Sequence, residues 1–378
     1  MVLPVFARRI ISGVDWILFF AVLPLLFFGL VTMSSFTDAN MFFEKQLIWI
    51  AVGLFFFFLF ASIDAGPLKK TGFLVSLFAF ALALLLLVAF TGSAVKGARS
   101  WFNLGFFSFE PADPVKLLII LMLAKYFSRR HVEIAHYKHI LISGLYAFIP
   151  FILIMLQPDF GSGLIIFLIW LGMVMVSGVS KKHLFIIFSI GVISFGMLWM
   201  FVFKPYQKNR ILTFIHPLTD IRGAGYNAYQ STIAVGSGEI WGKGIGYGTQ
   251  SRLKFLPEYE TDFVFAAFAE EWGFAGIFLF FLLIGIVIWR ILTNALIGAT
   301  NFEMLFGMGL AIFFMSHIIV NVGMNIGLLP VTGIPLPFMS YGGSHLVTEF
   351  IGLGVLMSMR RNSRAAHRDA MKNEFLGI

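Results

Sequence analysis

The chain has no cysteine, which excludes disulfide scaffolds, thiol catalysis and cysteine-ligated zinc or iron–sulfur sites. It is also short of charge. Only 12% of its 378 residues are Asp, Glu, Lys or Arg, against about 25% in an ordinary soluble domain. That scarcity excludes a soluble enzyme, a disordered chain and a nucleic-acid binder with a solvated basic face. What fills the space is apolar: 59% of the residues are hydrophobic, with 47 Phe and 37 Gly. This composition suits a polytopic helical membrane protein, in which glycine is commoner than in soluble helices.

A spanning helix needs about 20 mainly apolar residues. Ten segments qualify: Asp15–Met33, Gln46–Ile63, Thr71–Thr91, Pro114–Phe127, Ile140–Leu156, Gly161–Gly178, His183–Phe203, Phe263–Trp289, Phe306–Leu328 and Ser344–Met359. The fourth is short and carries Lys116 and Lys125 near its ends. The first follows Arg8 and Arg9, as a signal peptide would, but no A-x-A-like cleavage site follows, so it reads as a retained helix.

The formal net charge of +8 resembles a polyanion-binding signal until it is mapped. Arg8, Arg9, Lys69, Lys70, Arg129, Arg130, Lys138, Lys181, Lys182, Arg290 and the basic tail (residues 360–378) fall on one side; the short loops opposite hold Lys45, Lys96 and Arg99. The positive-inside rule then puts both termini in the cytoplasm and the long loop 204–262, between the seventh and eighth helices, outside. The tail is placed to touch anionic lipid. With no internal repeat or linker, residues 1–378 read as one all-α membrane domain.

Cytoplasmic loops are short and read as anchors; the spacing of His131, Glu133, His136 and His139 is not that of a zinc helix. The outer segments are longer, rich in Gly and Pro, and acidic. Asp113, Asp159 and Asp262 each precede a helix running inward. Each residue suits an N-cap at the positive end of the helix dipole, and Pro114 suits a first helical position. Together they also suit an outward site whose helix ends favour a phosphate and whose carboxylates suit a hard divalent cation. Both readings stay open on the residues alone. Lys116 lies i+3 from Asp113 and can meet it; Lys125 reads as snorkelling.

Glu270 and Glu271 lie about 12 Å into the eighth helix at ~1.5 Å per residue. Carboxyls at that depth must face the bundle, with His317, Asn321 or Asn325 as expected partners, or line an ion pathway. Glu349 carries the same ambiguity. The stretch Gly236–Gly248 has neither the Walker nor the dinucleotide spacing, and reads as a glycine-rich turn over the membrane surface.

Taken in order, the outer motifs resemble those of the RodA/FtsW family, the SEDS proteins of cell-wall synthesis. The carrying segments are Lys96-Gly-Ala-Arg-Ser-Trp101, Glu110-Pro-Ala-Asp-Pro-Val-Lys116, Gln157-Pro-Asp-Phe-Gly161, Arg210 with Phe214 and Pro217, Ala234-Val-Gly-Ser-Gly238, Gly242-Lys-Gly244, Leu256–Phe265, Glu270-Glu271 with Gly273, Pro330–Phe338 and Ser340-Tyr-Gly-Gly343. The short N-terminus and tail resemble the RodA elongation branch. In the second segment Glu110 stands where the family has Gln, Ala112 where it has Ser, and Asp113 where it has Glu.

The resemblance implies a peptidoglycan glycosyltransferase of the bacterial cytoplasmic membrane. Such an enzyme polymerises lipid II on the outer face beside a class B penicillin-binding protein, with no nucleic-acid partner. The family's essential Asp falls on Asp262, the expected general base; Lys116 and Asp113 complete the expected catalytic set. Asp159, Arg210, Arg99, Lys243 and Glu110 are expected at the substrates, and Asp113, Asp159 and Asp262 are the candidate ligands of a Mg or Mn ion. Two rivals stand beside this reading: a lipid II flippase using Glu270 and Glu271, and a non-catalytic scaffold for cell-wall enzymes.

Overall fold

A computed structural model describes residues 13–35, 39–95, 98–103, 105, 107–129, 137–178, 181–201, 208, 212, 214, 224–253, 255–256 and 258–376. Its helices are α1 (Trp16–Ser34), α2 (Ala39–Ser62), α3 (Thr71–Thr91), α4 (Ala112–Ser128), α5 (Tyr137–Leu156), α6 (Phe160–Val176), α7 (Lys181–Phe201), α8 (Ala224–Ser237), α9 (Thr249–Arg252), α10 (Val264–Leu296), α11 (Asn301–Asn325) and α12 (Gly343–Leu376). Each of the ten apolar segments is matched by one of these helices. Six of them, α1, α2, α3, α5, α10 and α11, are long and apolar enough to cross a membrane. The chain is therefore a mainly helical integral membrane protein.

Aromatic and aliphatic side chains on the outer helices stay exposed, among them Phe20 and Phe27 on α1, Phe80 and Phe90 on α3, and Phe148 on α5. A continuous exposed apolar surface of this kind is a lipid-facing girdle. At the centre the order reverses. Helix α4, the short segment with two lysines, is buried along nearly its whole length, from Ala112 to Ala124. It packs against α3, α6, α11 and α12. Protein rather than lipid covers it, which is why a modest hydropathy suffices there.

Glycine permits the tightest helix contact. Along the seam of α2 and α12, a Cβ on Gly354 would lie 2.7 Å from the Phe57 carbonyl, and one on Gly343 would run into the Trp49 indole. Small residues drive helix association in membranes by allowing such approach. On the side away from Asp262, Asp15 caps α1 through Ile17 N–H (3.2 Å) and accepts from Arg290 (2.6 Å) and Asn294 (2.8 Å), tying α1 to α10.

Two features depart from the sequence reading. Between α3 and α4 the chain forms three short antiparallel strands, β1 (Ser93–Val95), β2 (Ala98–Asn103) and β3 (Ser108–Phe109), in the order β1-β2-β3. And α10 is broken: Gly273 has φ +63° and ψ −164°, outside the helical region. The helix therefore consists of a short first piece ending at Trp272 and a long second piece.

Candidate active site

Asp262 ends the loop that leads into α10, and its backbone is held from two sides. Its N–H donates to Glu258 O (3.1 Å). Its carbonyl accepts from Asn321 Nδ2 (3.0 Å) and Asn325 Nδ2 (3.1 Å). Asn321 also donates to Ile334 O (2.7 Å), so one buried amide on α11 joins the Asp262 loop to the 330–341 segment. That segment grips the loop again: Ser340 Oγ donates to Thr261 O (2.6 Å) and Tyr341 N–H to Glu260 O (2.8 Å). The Asp262 carboxylate is left half-buried, open enough to meet a substrate. Gly333, at φ +75°, passes close beside it; a Cβ there would sit 3.4 Å from Asp262 Oδ2.

The same 330–341 segment reaches the other acids. A Cβ on Gly161 would lie 2.7 Å from Thr332 O, so the start of α6 rests on it. Asp159 caps that helix, accepting from Ser162 N–H (3.0 Å). Asp113 is not a cap. Helix α4 begins at Ala112, so Asp113 and Pro114 lie inside its first turn. Asp113 faces inward, where it accepts from Lys116 Nζ at 3.0 Å and lies 3.3 Å from His345 Nδ1. His345 Nε2 is 3.0 Å from Glu349 Oε1, an ion-pair contact off-line for a hydrogen bond. Glu349 Oε2 in turn accepts from Phe338 N–H (3.2 Å). A buried polar chain thus runs Lys116–Asp113–His345–Glu349 and ends on the segment that touches Asp262. Such groups inside a bundle are costly to bury and mark function by default.

Glu110, just ahead of α4, joins this cluster. Its backbone pairs with the Ser344 hydroxyl (3.1 and 3.3 Å), and its carboxyl accepts from Ser162 Oγ (3.3 Å). Burial, then the charges of Asp113 and Asp159, push that carboxyl well above the usual range, with Lys116 and His345 opposing.

Other expectations are redirected. Glu270 and Glu271 do not bond to His317, Asn321 or Asn325. Glu270 Oε1 accepts from Lys243 Nζ (2.7 Å) and from the backbone and hydroxyl of Thr249 (2.8 and 2.9 Å); Glu271 Oε1 accepts from Gly246 N–H (3.0 Å). The glycine-rich stretch folds onto the break at Gly273, and the two carboxylates stitch it down. Lys243 is thereby engaged by Glu270. Arg99 lies exposed on β2, whose backbone donates to Gln157 O (3.2 Å) and ties the ribbon to the turn bearing Asp159. Arg210, Lys96, Pro217, His131, Glu133 and His136 lie outside the described residues.

For a divalent cation the fit is poor. Among the described residues no group of three or more His, Asp or Glu side chains is gathered to hold a metal, and Asp113 is already paired with Lys116 and His345. The sequence reading missed His345. Its signal was the i, i+4 spacing to Glu349 on one helix face.

Fold and site together define a polytopic α-helical membrane protein with a polar cluster gathered at one end of its bundle. The chain belongs to the FtsW/RodA/SpoVE family of cell cycle proteins, whose profile matches residues 11–365. It is 36% identical over 321 residues to the peptidoglycan glycosyltransferase MrdB of Escherichia coli (strain K12), covering 85% of this chain and 86% of that one. It is 34% identical over 362 residues to stage V sporulation protein E of Bacillus subtilis (strain 168), covering 93% and 98%. Among solved structures, a chain of a peptidoglycan synthase complex that coordinates polymerization and crosslinking superposes with TM-score 0.80 at 30% identity, covering 92% of this chain and 98% of that one. The rod shape determining protein RodA of Thermus thermophilus gives TM-score 0.68 at 28% identity, covering 92% and 97%.

Proposed function

We infer that the chain is a peptidoglycan glycosyltransferase that polymerises lipid II in cell elongation and rod-shape maintenance. The observation that carries the mechanism is the half-buried Asp262 carboxylate on a backbone clamped by Asn321, Asn325 and Ser340. Ten helices cross the cytoplasmic membrane in this reading, both termini lie inside, residues 1–378 form one domain, and Asp262 faces outward.

In the reaction, the 4-hydroxyl of an incoming GlcNAc attacks C1 of the growing strand's terminal MurNAc. The new C1–O bond forms as the bond from C1 to the diphosphate oxygen breaks, and undecaprenyl diphosphate leaves. Asp262 takes the hydroxyl proton as general base. An α-linked donor giving a β-1,4 bond requires inversion, which a single displacement supplies. The leaving diphosphate calls for positive charge; Arg210 and exposed Arg99 are assigned to it. Lys116 is only 1% exposed and held by Asp113, so we assign it, with Asp113, as a positioning residue acting through His345 and the 330–341 segment. Lys243 is assigned to holding the glycine-rich turn. No step is routed through a metal ion. A class B penicillin-binding protein is the proposed partner, as the synthase-complex neighbour suggests.

The test is lipid II polymerisation by purified protein, alone and with its transpeptidase. Asp262→Asn should lower turnover by about 10²- to 10⁴-fold, the usual contribution of general-base catalysis, with unfolding temperature unchanged. Wild-type rates from the variant would overturn the assignment.

A further inference from the structure

At the far end of α4 from Asp113, helices α3, α4 and α5 enclose a cavity of about 190 Å³ that the transfer chemistry does not use. Its polar lining is Thr71, Lys125, Tyr126, Arg129 and Tyr146, over an aliphatic floor that includes Met122. Among the described residues no carboxylate lines it. The nearby acid Glu303 is bound to Lys69 at 2.7 Å, outside the lining.

Two cations, Lys125 and Arg129, share this lining, and Lys69 adjoins it through its carbonyl. Lys125 donates to the Lys69 carbonyl and sits 5.9 Å over the Phe302 ring, so its ammonium is oriented by the protein. Among the described residues, the Arg129 side chain makes no hydrogen bond or ion pair, and neither does the Tyr146 hydroxyl. Tyr126 is held in place by its contact with His139 Nδ1 (2.8 Å). Thr71 opens α3, whose first turn receives no side-chain cap, so unsatisfied backbone N–H groups and the positive end of the helix dipole add to the field.

An arginine fork, an ammonium, a free phenol and an uncapped helix start all offer donors, and together they match the oxygens of a phosphate. The cavity also opens to lipid. Val75 lines it and is still 48% exposed on the outer face of α3. A ligand held here has an anionic head in the cavity and an apolar body alongside α3. We propose that this cavity binds the phosphate headgroup of an acidic phospholipid, with Arg129, Lys125 and Tyr146 as its donors. The proposal is independent of the transferase reading, since binding is measured without turnover.

The experiment is native mass spectrometry of the full, delipidated chain titrated with phosphatidylglycerol or with phosphatidylcholine of the same acyl chains. Wild type should retain phosphatidylglycerol preferentially. Arg129→Gln combined with Tyr146→Phe should weaken that binding by about tenfold, the loss expected for a charge-assisted hydrogen bond, and leave phosphatidylcholine unaffected. Lys182→Gln, which removes an exposed cation elsewhere, should change neither. Equal retention by the double variant would overturn the site, as would an equal loss in Lys182→Gln, which would mean diffuse attraction. Complete displacement of the lipid by inorganic phosphate would also overturn it, by showing a site for free phosphate. Unchanged thermal unfolding of Arg129→Gln alone, whose side chain is exposed, keeps a binding loss distinct from misfolding.

Discussion

Lys116 and Asp113 show what one turn of helix places together: their i, i+3 spacing foretold the 3.0 Å pair. Their burial was not foretold, because it comes from α3, α6, α11 and α12 closing around α4. Removing one partner of a buried pair costs about 3–5 kcal/mol by leaving the other charge uncompensated. Lys116→Met should therefore lower the unfolding temperature in detergent, and adding Asp113→Asn should restore part of it. Glu110 is a second case. The family has glutamine at this position, and a carboxyl that holds its proton is the closest acidic counterpart of an amide. Its folded-state value is raised, so the folded protein binds this proton more tightly than the unfolded chain. That contribution to stability is complete at low pH and fades as pH rises through the folded value. Glu110→Gln should flatten the fade, read as unfolding temperature against pH from the ordinary carboxylate range upward.

Among the elements, the long helices were legible because hydropathy over about 20 residues is a local property. Thr71–Thr91 agrees to the residue, whereas α12 runs past Met359 to Leu376, since its charged continuation carries no hydropathy signal. The β-ribbon was missed because its strands are too short to show a period. The partners of Glu270 and Glu271 were misassigned for a different reason. The depth count, about 12 Å at ~1.5 Å per residue, covers only residues ahead of the break; what it could not show is that the break at Gly273, just beyond them, admits the glycine-rich turn at that level. The 330–341 segment offers the sharpest element-scale test. Gly333→Val puts a branched side chain at φ +75° against Asp262, a conformation β-branched residues strongly disfavour. Turnover should fall well beyond any change in unfolding temperature, measured on the same preparation.

At the scale of the whole molecule, the bundle is fastened at both ends. Asn321, Asn325 and the Lys116–Glu349 chain gather α4, α11, α12, the Asp262 loop and the 330–341 segment at one end; Asp15, Arg290 and Asn294 join α1 to α10 at the other. The family and fold class could be read from the sequence, since motif order and hydropathy both survive without coordinates. The contacts of Glu110 with Ser162, of Gly161 with Thr332 and of Gly333 with Asp262 could not, because these pairs meet only after the helices have packed.

The interruption of α10 also has a kinetic signature. Phe274 N–H donates to Glu239 O (2.8 Å) and Ala275 N–H to Ile240 O (3.0 Å), bonds to another stretch of chain rather than to the preceding helical turn. In deuterium exchange these two amides should report the docking of residues 239–240. Lys243→Met should speed their exchange while leaving the middle of α10 protected; unchanged rates would mean that the turn stays seated without its lysine. A pair of amides deep in a membrane helix would then serve as a clock for a surface loop.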